Sequence, residues 1–331
     1  CKDNRMSNKG VKSLYQITAL GELLIDFTES GLSSAGMKLF EQNPGGAAAN
    51  VLAAMAKMGD KTAFIGKVGK DMHGEFLKQT LETVGIDTTG LVMSEDYFTT
   101  LAFVALSPNG ERTFSFARKP GADTRLTAQE VNDSVLKSTH ILHFGSLSLT
   151  DEPARSATLH AVKTAKALGA IISYDPNFRA PLWKDEAAAK KHMRELLPYV
   201  DVMKLSDEET ALLTDEASPE KSARYLNDMG ISCVAVTLGK KGALVSIGGV
   251  SEFVEGYPNP AIDTTGAGDA FWGGFLHKMV ILNKRPEQLT IQEAGLCADW
   301  GNAAATCCVQ KRGAIPAMPT LEEVKALMAN R

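Results

Sequence analysis

A chain of 331 residues that is 44% hydrophobic and 22% charged can bury the core of one large α/β domain or two modest ones. Its net charge of −4, with no basic stripe and no apolar run of the ~18 residues a membrane span needs, argues against nucleic acid or a membrane as partner. Five cysteines without a C-x-x-C or a paired framework fit a reducing cytoplasm, with the adjacent Cys307 and Cys308 expected as buried thiols.

Residues 1–13 have no hydrophobic core of a secretory signal and are expected to be a flexible tail or an expression remnant. Tyr15 to Phe27 reads as a buried first strand whose C-terminal end delivers Asp26. A polar, glycine-containing stretch from Thr28 to Asn43 follows. Gly45-Gly46-Ala47-Ala48-Ala49-Asn50 then opens a helix over Val51 to Met58, stopped at Gly59. Thr62 to Ile65 reads as a short strand, Gly66 to Gly74 as a loop, and Glu75 to Val84 as a helix ending at Gly85. Leu101 to Leu106 and Arg112 to Arg118 flank Asn109-Gly110 and predict a hairpin. Period 2 puts Arg112, Phe114, Phe116 and Arg118 on one face, as expected of a lid over a site.

From His140 onward, strands and helices alternate. Strands are expected over His140–Gly145, Ile171–Tyr174, Val202–Leu205, Val234–Leu238 and Ala243–Ile247. Helices are expected over Ala154–Leu168, Ala187–Leu197, Ser218–Met229, Thr290–Val309 and Leu321–Ala329. This alternation predicts an α/β fold with a mostly parallel sheet and helices on both faces. Ligands in such sheets bind beyond the carboxyl ends of strands, where Asp26, Asn177, Arg179, Glu209 and Gly239 fall. No repeat or long linker divides the chain, so one domain is expected over 14–331, with lid segments at about 28–43 and 98–120.

The chain has neither G-x-x-x-x-G-K-[ST] nor a G-x-G-x-x-G after its first strand, which argues against a P-loop enzyme and against a dinucleotide-dependent one. His140 and His143 lie three apart in a strand, a spacing that suits packing better than a metal site. The informative stretch is Asp263-Thr264-Thr265-Gly266-Ala267-Gly268-Asp269, set before the apolar run Ala270 to Leu276. Glycines at a helix start let unpaired N–H groups gather around an anion. A carboxylate there repels an anion, so Asp269 makes chemical sense if it handles a proton while the amides hold the charge.

Gly45-Gly46-Ala47-Ala48-Ala49-Asn50 with Gly59 and Gly69, together with Asp263 to Asp269, resembles the two signatures of the ribokinase-like (PfkB) carbohydrate kinases. The resemblance spans roughly Leu14 to Leu327. It departs at Leu52, where the first signature carries a small residue, and at Ser206, which replaces the Asn of an N-x-x-E motif. The resemblance implies a three-layer sandwich with a small β lid, and phosphoryl transfer from ATP with magnesium. It implies Asp269 as the base, and Gly266, Ala267 and Gly268 as the anion hole. The sugar would meet Asp26, Gly45, Gly46 and Asn50, with Phe116 and Arg118 from the lid and Arg179 from the D-x-N-x-R segment Asp175 to Arg179. ATP would lie near Thr237, Gly239, Gly242 and Asn302. Glu209 would organise magnesium through water, and Asp263 and Thr265 would belong to the potassium loop of some members. The Gly21 to Asp26 segment and the lid are most similar to those of fructokinases. Fructose is therefore the expected substrate, with 2-keto-3-deoxygluconate, ribose and aminoimidazole riboside as alternatives. A homodimer through the lid also follows from the resemblance, and an inactive member with a structural role is the remaining alternative.

Overall fold

The computed structural model describes residues 14–106, 112–258 and 260–330. The expected tail at 1–13, the Asn109-Gly110 turn, and the side chains of Arg112 and Phe114 lie outside the described residues. The chain begins with β1 (Tyr15–Leu20), β2 (Leu24–Leu32), β3 (Lys38–Gly45) and α1 (Ala47–Lys57). Then come β4 (Thr62–Gly69), α2 (Met72–Val84), β5 (Ile86–Ser94), β6 (Leu101–Leu106) and β7 (Arg112–Ala117). The middle holds α3 (Asp133–Lys137), β8 (Thr139–Gly145), α4 (Ala154–Ala167), β9 (Ile171–Asp175), α5 (Glu186–Glu195) and β10 (Val202–Ser206). It continues through α6 (Thr210–Thr214), α7 (Pro219–Asp228), β11 (Cys233–Thr237), β12 (Gly242–Ile247) and β13 (Val250–Glu255). Three helices follow: α8 (Ala267–Leu282), α9 (Ile291–Cys308) and α10 (Leu321–Ala329).

Among the described residues, nine strands form the central sheet in the order β13-β12-β11-β10-β9-β8-β1-β4-β5. All pairs are parallel except β11 with β12 and β12 with β13. Both faces are covered, so each strand sends alternate side chains to different cores. Cys233, Ala235, Ala243 and Val245 join the core under α1, α8 and α9. Val234, Val236 and Leu244 join the opposite core with α4, α5 and α7. This is the mostly parallel sheet with helices on both faces that the alternation predicted, and its layering agrees with the sandwich that the resemblance implies.

The second sheet has four strands in the order β3-β2-β6-β7. It corrects one expectation. Tyr15 to Phe27 is not one strand: the chain leaves the central sheet at Leu20, and Asp26 lies on β2 in the smaller sheet. Gly21 marks the change of direction, because a Cβ there would sit 2.7 Å from Ala48 Cβ. The apolar run continues across the break because most of β1 and the first residues of β2, Leu24 and Ile25, are buried, so periodicity could not reveal it.

Residues 66–69, read as loop, complete β4. Gly66 is there because a Cβ would meet the Phe64 ring at 2.5 Å, and Lys67 is buried against Glu130 at 2.6 Å. β5 and β13 carry no strong sequence signal and were not expected. Among the described residues, no helix is long and apolar enough to cross a membrane. Cys233, Cys297, Cys307 and Cys308 are free and buried.

Candidate active site

Helix α8 begins where Gly266 adopts φ +76°, a left-handed conformation that suits glycine. The residue has no room to be larger: a Cβ would lie 3.0 Å from Met318 Cε and 3.2 Å from Ala314 Cβ. The Ala267 N–H is spent on Thr264 O at 3.2 Å. Among the described residues, the Gly268 and Asp269 N–H groups have no backbone acceptor, as expected of a helix start. They supply the anion-binding potential of this end. Further along, Gly273 and Gly274 bring α8 against its neighbours. A Cβ at Gly273 would be 2.5 Å from Ala54 Cβ of α1, and one at Gly274 would be 2.7 Å from Trp300 O of α9. Close backbone packing offsets the roughly 1 kcal/mol helix penalty of each glycine.

Asp269 is buried in the first turn of α8. Asn50 Nδ2 of α1 donates to its Oδ2 at 2.7 Å, and Asn177 Nδ2 to its Oδ1 at 3.4 Å. The first bond joins the two glycine-rich signatures across 219 residues of sequence. Burial, reinforced by the nearby Asp175 charge, pushes the Asp269 carboxyl up to about 7, while Asn50, Lys204 and Arg179 pull it back. Asn50 Oδ1 is buried without a hydrogen-bond partner among the described residues. An acceptor so placed fits a hydroxyl donor.

Lys204 is the residue that sequence reasoning missed. It sits on β10, buried, with Nζ 2.7 Å from Asp175 Oδ2. Gly268 leaves it room, since a Cβ there would be 3.2 Å from Nζ. Burial lowers the affinity of its amine for a proton, but the charges of Asp175 and Glu209 outweigh this and hold its pKa above the ordinary lysine value. The sequence signal was a lysine inside an otherwise apolar strand, Val202-Met203-Lys204-Leu205, which required a buried anionic partner.

These elements surround a cavity of ≈ 470 Å³. It brings together Asp26, Gly46, Asn50, Phe116, Arg179, Asp263, Thr265 and Gly266 to Asp269 from the expected set. Asn177, Lys204, Glu22 and Arg312 also line it. Burial raises the Asp26 carboxyl to about 6, with Arg179 opposing and Asp269 adding to the shift. Gly45 lies just behind, where any Cβ would overlap Asp26 Oδ2. At Gly46, with φ +123°, a Cβ would overlap Glu22 O. Glu22 Oε1 accepts from Ala47 N at 2.7 Å and caps α1 in place of the side chain Gly46 lacks. Gly45→Ala is thus expected to displace the Asp26 carboxylate. For the sugar that the resemblance implies, KM should rise about tenfold, the cost of roughly one charged hydrogen bond, with kcat little changed. An unchanged KM would detach Gly45 from the sugar site.

Other expected residues lie elsewhere. Arg118 is buried behind the site rather than presented to it. Its guanidinium lies 2.7 Å from Asp123 Oδ2 and donates to Thr150 Oγ1 and Leu147 O, both at 2.9 Å. Strand alternation gave Arg118 the face of Phe116, but β7 ends at Ala117 and the chain turns away there. Glu209 is also buried, and its two oxygens accept from Phe178 N at 2.6 Å and Ser206 N at 2.8 Å. Its immediate role is to hold the ends of β9 and β10. Thr237 donates to Leu205 O at 3.2 Å. Gly239 and Gly242 bound a turn closed by Leu238 N to Gly242 O at 2.8 Å. Asn302 ties α9 to β13 through Val254 O at 3.1 Å and Glu255 O at 3.2 Å. None of these four lines the cavity around Asp269.

No group of three or more His, Cys, Asp or Glu among the described residues is arranged to hold a metal ion. The Asp263 carboxylate instead gathers the loop. Oδ1 accepts from Thr265 N at 2.9 Å and Thr265 Oγ1 at 2.7 Å, and Oδ2 accepts from Gly313 N at 3.1 Å.

The pfkB family carbohydrate kinase profile matches residues 15–321. Fructokinase-2 of Solanum lycopersicum is 39% identical over 329 residues, covering 98% of this chain and 99% of its own. Fructokinase from Vibrio cholerae O395, solved with fructose, ADP and calcium, superposes with a TM-score of 0.85 at 34% identity, over 96% of this chain and 99% of that one. Fructokinase from Xylella fastidiosa with bound ATP gives 0.83 at 31% identity over the same shares. With its fold, its paired glycine-rich signatures and this full-length match, the chain belongs to the pfkB family of carbohydrate kinases.

Proposed function

We propose that this chain is an ATP-dependent fructokinase that phosphorylates the primary hydroxyl of D-fructose to give fructose 6-phosphate and ADP. The observation that carries the reading is the 2.7 Å bond from Asn50 to Asp269, which sets the expected sugar site against the expected phosphoryl site. Similarity to fructokinases along nearly the whole chain supports fructose as the sugar.

In this reading Asp26, Asn50 and the Gly45-Gly46 backbone orient the sugar in the cavity. Asp269 accepts the proton of the primary hydroxyl as its oxygen bonds the γ-phosphorus and the bond to the leaving ADP oxygen breaks. Phosphoryl transfer demands positioning and charge stabilisation more than a strong base. The free N–H groups at the start of α8, those of Gly268 and Asp269, stabilise the transferring oxygens; the Ala267 N–H, expected to share this work, is held by Thr264 O. Arg179, at the mouth, meets phosphate. Magnesium would supply charge neutralisation on the triphosphate, with Glu209, whose oxygens accept from Phe178 N and Ser206 N, organising it through water. Thr237, Gly239, Gly242 and Asn302 would line the nucleotide side, and potassium would sit by Asp263 and Thr265. Arg118 is committed to Asp123, which removes one of two candidate partners for a keto acid carboxylate and favours a neutral sugar. The four-stranded sheet serves as the lid. Leu32, Met37, Leu39 and Phe40 on it are exposed and suit a homodimer; a monomer mass by light scattering would remove that part.

ADP release measured over a sugar panel tests the substrate. Turnover of 2-keto-3-deoxygluconate, ribose or aminoimidazole riboside without fructose would overturn the reading. A pH profile tests the mechanism. The base must be deprotonated, so kcat/KM should rise with pH between about 6 and 7, where Asp26 and Asp269 titrate as an interacting pair. A profile flat from pH 5 to 8 would exclude Asp269 as the group that limits the rate.

A further inference from the structure

The Lys57 ammonium, at the last residue of α1, has a role that the reaction scheme above does not use. Nζ donates to the carbonyls of Ile315 at 3.0 Å, Pro316 at 2.9 Å and Met318 at 3.1 Å. An ammonium has three N–H donors, and here three carbonyls receive them. The turn so gathered is not remote from the chemistry. Arg312, Gly313 and Ala314, just before it, line the cavity. Gly313 N donates to Asp263 Oδ2 at 3.1 Å. Ala314 and Met318 are the atoms that a Cβ on Gly266 would strike, so they form the wall on which Gly266 rests. Helix α1 therefore grips the phosphoryl loop twice. Near its start Asn50 holds the Asp269 carboxylate, and at its end Lys57 holds the wall behind Gly266.

We propose that Lys57 is a positioning residue for phosphoryl transfer: its side chain is a built-in monovalent cation that draws together the carbonyls of the 315–318 turn and so fixes the N-terminus of α8. The inference rests on the kinase reading for its kinetic consequence, though not for its structural one. Peptide carbonyls converging on one point repel each other unless a cation or donor sits among them. An apolar side chain at position 57 would leave three acceptors unsatisfied, and the turn would open to hydrate them. The wall would then recede from Gly266, and the amides of Gly268 and Asp269 would lose their fixed aim. The sugar-binding groups Asp26 and Gly45 lie on β2 and β3, outside this chain of contacts.

The test compares wild type, Lys57→Met and Lys57→Arg by steady-state kinetics, thermal unfolding and amide hydrogen exchange. Lys57→Met is expected to lower kcat at least tenfold with sugar KM within twofold, the pattern of an interaction made only in the transition state. Lys57→Arg, which keeps a multi-donor cation at the carbonyls, should recover kcat to within about threefold of wild type. Exchange over 264–270 should be faster in Lys57→Met, a readout that needs no turnover. A lowered melting point with wild-type kcat and wild-type exchange over 264–270 would reduce Lys57 to a structural tie and overturn the proposal. If Lys57→Met does not fold, Lys57→Gln replaces it under the same criteria. If wild type itself turns over no sugar, the kinase reading fails, and the exchange data alone decide the role of Lys57.

Discussion

Asp269→Asn is expected to lower kcat by about 10³-fold, within the range spanned by general bases, while sugar affinity stays within about threefold. The substitution keeps the volume of a buried residue, and its side-chain oxygen can still accept from Asn50. What it loses is the capacity to take a proton. It also removes a negative charge from the anion site, so ATP should bind at least as tightly as to wild type. The separation is diagnostic: a damaged pocket weakens binding and turnover together, whereas a missing base stops turnover alone. Single-turnover kinetics with equilibrium sugar binding measures both quantities. Turnover within tenfold of wild type would take the base role from Asp269.

The second large effect concerns stability and chemistry together. Lys204→Met should destabilise the protein by about 3–5 kcal/mol, the cost of leaving one partner of a buried ion pair uncompensated. The stranded group is Asp175, whose carboxylate loses its contact with Nζ at 2.7 Å. Lys204 also pulls the Asp269 pKa down, so its loss should move the activity rise with pH to higher values. Combining Lys204→Met with Asp175→Asn should recover much of the stability, because no unpaired charge remains. Denaturant unfolding of the four proteins forms the cycle. Additive losses in the double variant would show that the two side chains act independently.

Much of this architecture was legible because its physics is local. Glycine stops at Gly59, Gly85, Gly169 and Gly230 marked helix ends, and each has φ between +88° and +100°. The pairing of Gly45-Asn50 with Gly266-Asp269 could be read because together the two stretches resemble the family's two signatures. What was illegible depended on long-range neighbours. Nothing near Lys204 in sequence names Asp175 as its partner. Asp123 is only five residues from Arg118, but strand alternation does not show that the chain turns after Ala117 and pairs the two. The break after Leu20 was hidden because β1 and the buried start of β2, in different sheets, read as one apolar run. Leu52, the departure from the first signature, is fully buried in the core of α1, where it serves packing.

The order of strands in the central sheet also constrains how the chain is made. β1 pairs with β4 on one side and with β8 on the other, so the first strand synthesised waits for residue 139 before its second neighbour exists. Contacts of such sequence separation form slowly, and long chains tend to assemble through partly structured intermediates. The Gly266 to Asp269 turn arrives later still, after all thirteen strands of the described residues. During translation the half proposed to bind the sugar therefore precedes the half proposed to bind phosphate. On the proposed mechanism an unfinished chain has no base, no anion-binding helix and no means of spending ATP. A ribosome-bound chain stalled before residue 263 should accordingly show no nucleotide hydrolysis, with or without sugar.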